Sequence, residues 1–149
     1  MPTHYQGGPE ERLALDAFIK LQRCADSVTS RLQANIDNSG LTYSQFGVME
    51  ALFHLGPLRL CDVARKILRS GGNITMVARN LEKQGLVRRR RDPHDQRAFS
   101  LELTLKGADL IRKVFARHAR AVTKQFSVLS APEQSELGRL CKRLGLGGE

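Results

Sequence analysis

Apolar side chains recur every three or four residues at Phe18, Leu21, Ala25, Val28 and Leu32, so one stripe runs along about four turns of a first helix. Pro9 opens this helix, with Glu10 and Glu11 suited to the positive end of its dipole, and Asn38-Ser39-Gly40 closes it. Residues 1–8, with Pro2, Gly7 and Gly8 and no periodicity, read as a disordered N-terminus. Thr42 and Gln45 form a capping box for a second helix, with Leu41 and Phe46 as its hydrophobic staple and Gly56-Pro57 as its stop. A short third helix is expected to turn Leu60, Val63, Ala64 and Ile67 inward. After the turn Ser70-Gly71-Gly72, a fourth runs from Asn73 to Gln84 with Ile74, Val77 and Leu81 inward and Gly85 as its C-terminal stop.

The period then changes from 3.6 to two. Leu86 to Arg91 reads as a short basic strand, residues 91–95 as turn, and Phe99, Leu101 and Leu103 alternate with Ser100 and Glu102. These make a two-stranded hairpin with a polar, basic tip. Thr104 caps a fifth helix with Ala108, Ile111, Phe115, Val122, Phe126 and Leu129 on its apolar face. Ser130 and Glu133 box the start of a last one, with Leu137, Leu140 and Leu144 inward and Gly145 at its end. The expected fold is mainly α with a small β-hairpin wing. A winged helix-turn-helix lobe (41–103) is flanked by an N-terminal helix (9–38) and C-terminal helices (104–146). The flanking helices carry long apolar stripes with no partner in so small a chain, which a second copy would cover in a homodimer.

Charge locates the candidate chemistry. Of the net +9 in these 149 residues, +7 falls between Arg59 and Arg97, where eleven Lys and Arg face four Asp and Glu. A basic block inside a folded segment is the footprint of a polyanion partner; a solvated charged face is the plainer reading. Aromatics are 5% of the chain, so aliphatic packing dominates. Neither a membrane-length apolar run nor a signal peptide is visible, so a cytoplasmic location is expected. Cys24, Cys61 and Cys141 are unpatterned, which argues against a disulfide framework or a zinc site. No metal spacing joins His54, His94 or His118, and no nucleophile, phosphate loop or cofactor motif suggests an enzyme. His54 and His118 read as structural residues or as walls of an effector pocket.

The helix pair 60–84 fits a helix-turn-helix whose second helix lies in the major groove. Its outer face carries Thr75, Met76, Arg79 and Asn80. Arg79 suits guanine, Thr75 and Met76 suit thymine methyl groups, and Asn73 suits adenine or a phosphate. Ser70 and the amides from Gly71 through Gly72 to Asn73 form a phosphate site at a helix N-terminus. In the hairpin, Arg88, Arg89, Arg90 and Arg91 point alternately to both faces, so some of them are expected to lie toward DNA phosphates; Arg88, Arg90 and Arg91 are the candidates, with His94 at the turn. Asp95, two residues before Arg97, is expected to hold that guanidinium for a narrow minor groove.

The stretches Gly71-Gly72-Asn73-Ile74-Thr75, Leu81 to Arg89, Asp92-Pro93-His94-Asp95-Gln96-Arg97 and Leu103-Thr104-Leu105-Lys106-Gly107 resemble the MarR family of bacterial regulators. Leu41 to Phe46 is similar to the opening of that family's second helix, and the helix order extends the likeness over almost the whole chain. The resemblance implies a triangular homodimer joined by its first and last helices. Each recognition helix would enter a major groove of a pseudo-palindromic operator, with Arg97 in the minor groove and Asp95 as its supporting acid. It also implies a repressor released by a small phenolic or anionic effector bound between the dimer helices and the DNA lobe. Some members sense oxidants through a cysteine near the position of Phe18, so a thiol-based sensor is an alternative here, although Cys24 lies further along. A winged-helix module that docks on another protein is a second alternative, against which the basic tip speaks.

Overall fold

The computed structural model describes residues 2–67, 74–95 and 97–148. Three of its helices begin where a short polar side chain takes up an orphan amide. Thr42 Oγ1 accepts from Gln45 N at 3.1 Å and Gln45 Oε1 accepts from Thr42 N at 3.1 Å. The same reciprocal pair joins Ser130 to Glu133, and Thr104 Oγ1 accepts from Gly107 N at 3.0 Å. The elements are α1 (Pro9–Asp37), α2 (Tyr43–Leu55), β1 (Leu58–Arg59), α3 (Leu60–Lys66), α4 (Ile74–Lys83), β2 (Val87–Arg91), β3 (Phe99–Leu103), α5 (Leu105–Phe126) and α6 (Ala131–Gly145).

The sheet has three antiparallel strands in the order β1-β3-β2, not the two of a bare hairpin. Leu58 pairs with Leu101 and Arg59 with Ser100. Two residues after Gly56-Pro57 are too short to show a period of two, which is why the sequence hides this strand. β2 and β3 align Val87 with Leu103, Arg88 with Glu102, Arg89 with Leu101, Arg90 with Ser100 and Arg91 with Phe99.

One core joins every element of the lobe to α5. Phe46, Met49 and Leu52 of α2 meet Val63 of α3, Ala78 and Leu81 of α4, Val87 and Leu101 of the sheet, and Ile111 and Val114 of α5. Ala64 does not turn inward as expected: in a helix of seven residues Val63 takes the single buried position and Ala64 is exposed. On α4, Ala78 completes the buried face with Leu81, while Ile74 and Val77 are half-buried.

The terminal helices are different. Along α1 the apolar stripe passes from open to packed, with Phe18 and Leu21 exposed and Leu32 and Ile36 buried. No residue of α6 is buried, and Leu140 and Leu144, expected inward, are 47% and 68% exposed in the single chain.

Candidate nucleic-acid interface

The candidate reading surface is the outer side of α4. With Ala78 and Leu81 buried, the 3.6-residue period turns Met76, Arg79 and Asn80 to solvent, and Thr75 is half-buried. Ser70, Gly72 and Asn73, assigned to a phosphate site, lie outside the described residues. The C-terminus of α4 closes with Gly85 at φ 71°, where Gly85 N donates to Glu82 O and Leu86 N to Leu81 O. That pair of bonds, with Leu81 and Leu86 both buried, is a Schellman motif.

The wing sorts its arginines by strand parity. Arg88 and Arg90 share one face with Glu102, whose carboxylate takes Arg88 Nε and, at 3.6 Å, Arg90 Nη1. Arg89 lies on the other face, where its Nε reaches Glu82 Oε1 of α4 at 2.6 Å and so ties the wing to the reading helix. Within the described residues Arg91 and Arg97 form no ion pair, and both are exposed, as is His94. Surface pairs of this kind add little stability, but they fix where each guanidinium points.

An acid in the wing turn was missed as more than subtracted charge. Asp92 Oδ2 accepts from Arg59 Nε at 2.9 Å and Nη2 at 2.6 Å, and its Oδ1 accepts from His94 N at 2.8 Å. The His94 amide first, then Arg59, holds the Asp92 carboxyl below the usual carboxylate range, and Asp92 in turn raises the Arg59 guanidinium. Asp92 N donates to Ala98 O at 3.1 Å, which closes the turn. No local pattern could have signalled a pair 33 residues apart; β1 creates it by laying Arg59 along β3.

Asp95 supports Arg97 differently from the expectation. Its Oδ1 accepts from the Arg97 backbone amide at 3.0 Å, and no ion pair joins the two side chains. The carboxylate therefore shapes the tip of the loop, as Asx turns do, and leaves the guanidinium open to a ligand.

A cavity of about 410 Å³ lies beside the lobe, between α2, the end of α3 and α5. Its wall includes Phe46, Glu50, His54, Lys66 and His118. The Phe46 and His118 rings stand 5.0 Å apart and those of His54 and Phe115 4.5 Å. Among the described residues the buried His118 Nδ1 has no hydrogen-bond partner, although a buried polar atom ordinarily has one. Among the described residues there is no cluster of His, Cys, Asp or Glu suited to a metal, and no helix long and apolar enough to cross a membrane.

The sequence profile of the MarR family matches residues 41–99, from the staple of α2 to the first residue of β3. The HTH-type transcriptional regulator MhqR of Bacillus subtilis is 34% identical over 136 residues, covering 91% of this chain and 94% of that protein. Among solved structures, AbsC, a MarR family transcriptional regulator from Streptomyces coelicolor, superposes with a TM-score of 0.78 at 24% identity, over 99% of this chain and all of that one. NadR in complex with 4-hydroxyphenylacetate superposes with a TM-score of 0.73 at 23% identity, over 97% of each chain. With its reading helix, three-stranded wing and long flanking helices in the matching order, the chain belongs to the MarR family of winged helix-turn-helix transcriptional regulators.

Proposed function

We propose that the protein is a cytoplasmic homodimeric repressor that grips a pseudo-palindromic operator and lets go when a small phenolic or anionic molecule binds. The observation that carries the DNA part is the division of labour in the wing. Acids fix Arg59, Arg88, Arg89 and Arg90, while Arg91 and Arg97 at the turn are left for phosphate or minor groove. Arg79, Thr75 and Met76 on α4 read bases; His94 and Asp95 complete the tip; Ser70, Gly72 and Asn73 remain candidate phosphate and base contacts. Arg88 and Arg90, held by one carboxylate, approach phosphate as a partly neutralised pair.

The dimer reading rests on the open apolar faces of α1 and α6, assigned to the segments 9–38 and 104–146. Two lobes joined there would span half-sites about 34–36 Å apart. The effector reading rests on the cavity beside α5, its unpartnered His118 Nδ1, and the complex of the neighbour NadR with 4-hydroxyphenylacetate. A phenol hydroxyl or a carboxylate offers that nitrogen the partner it lacks, and Lys66 supplies a cation for the anion.

The test is anisotropy of a labelled duplex from the protein's own promoter region. Wild type is expected to bind with strong salt dependence. Arg97→Ala is expected to bind at least tenfold more weakly, about 1.4 kcal/mol, with an unchanged melting temperature. Added 4-hydroxyphenylacetate should weaken the wild-type complex and leave that of His118→Ala unaffected. Equal affinity of Arg97→Ala and wild type would remove the wing from the mechanism.

A further inference from the structure

Three consecutive carbonyls leave the C-terminal end of α4, those of Gln84, Gly85 and Leu86. The Schellman bonds satisfy earlier carbonyls, at Leu81 and Glu82, so these three need other donors. All three find them at the start of α5. Lys106 Nζ donates to Gln84 O at 2.9 Å, Thr104 Oγ1 to Gly85 O at 2.6 Å, and Thr104 N to Leu86 O at 3.1 Å. The same Thr104 hydroxyl caps α5 by accepting from Gly107 N. Gly107 is buried against this turn so closely that a Cβ there would stand 1.9 Å from Leu86 O. The end of the reading helix and the beginning of α5 are thus joined by three hydrogen bonds and a backbone contact that admits no side chain.

From this junction α5 runs on to pack along α1 and α2. We propose that Lys106 and Thr104 are positioning residues that make α4 and α5 one rigid piece, so that α5 sets the distance and angle of the reading helix from the dimer axis. The junction then determines which half-site separation the dimer accepts. Lys106 acts at a distance from the DNA: its ammonium faces the carbonyl end of α4, where a cation also meets the negative end of the helix dipole. This role rests on the dimeric DNA-binding reading above.

The experiment uses the full-length dimer and a duplex selected from a random pool by the wild-type protein. Half-site separation is varied by one base pair in each direction, which shifts one half-site by about 3.4 Å and roughly a tenth of a turn. Wild type should prefer the selected separation at least tenfold. Lys106→Met, which keeps the stem and removes the donor, should reduce that preference at least threefold while its affinity for the selected duplex falls less than threefold. Lys106→Arg should restore the preference to within twofold of wild type. Amide exchange of the DNA-free protein gives a second readout: Lys106→Met should speed exchange at residues 84–87 and leave α2 unchanged. Faster exchange with an unaltered spacing preference would show a local cap only and would overturn the proposal while the DNA reading stands. A wild-type protein that selects no duplex would overturn both.

Discussion

Asp92 shows how much a single side chain organises here. One oxygen holds Arg59 at the entry to α3, the other holds the His94 amide in the wing turn. Both contacts favour the carboxylate, so the folded-state pKa lies below the unfolded one. The sign follows: its contribution is complete above the ordinary carboxylate value of about 3.9 and is lost only as pH falls through the lower folded value. Asp92→Asn is therefore expected to weaken DNA binding about three- to tenfold, by a factor that stays constant from pH 5 to 8. A pH series of affinities for both proteins checks this; a factor that grows or shrinks within that window points to another group. The sequence contained Asp92 and Arg59 in plain view, yet nothing local relates them. Ion pairs between strands depend on register, and β1 is only two residues long.

At the scale of elements, legibility followed the range of the interactions. Helix starts at Thr42, Thr104 and Ser130 were readable because a cap and its box act within three residues. The Gly85 stop was readable because positive φ leaves few residues to choose from. Which residues of α3 and α4 are buried was only partly readable: Ala64 and Ala78 look alike in sequence, and packing against α2 and the sheet decides between them. The parity of the arginine run was legible, but the acids that occupy three of its members, Glu82 and Glu102, come from a helix and a facing strand. Leu81 is fully buried, accepts at its carbonyl from Leu86 N in the cap of α4 and lies beneath the candidate reading face. Leu81→Ala should cost about 2–5 kcal/mol of stability, the usual range for a core leucine. Urea unfolding checks it; a loss under 1 kcal/mol would mean that the lobe repacks around α4.

For the whole molecule, the contrast between a filled lobe and the open apolar faces of α6 and the N-terminal part of α1 is the dominant fact. Phe18, Leu21, Leu140 and Leu144 are all exposed in one chain, at positions the sequence marks as apolar stripes. A chain of this size gains too little by leaving such faces wet, and a symmetric partner is the simplest cover. Removing residues 130–149 is expected to convert a dimer into monomers or aggregates and to weaken binding to a two-half-site duplex far more than to a single half-site. Sedimentation of the truncated protein checks it; an intact dimer would move the interface elsewhere.

The double grip of Asp92 has a kinetic corollary. Because the hairpin is already strapped to the entrance of the reading pair, little of this surface must order itself when a duplex arrives. Binding then forfeits less conformational entropy than a floppy prong would require. Encounter should be governed by charge steering and ionic strength, and the lifetime of the complex by how well the groove fits a shape set in advance.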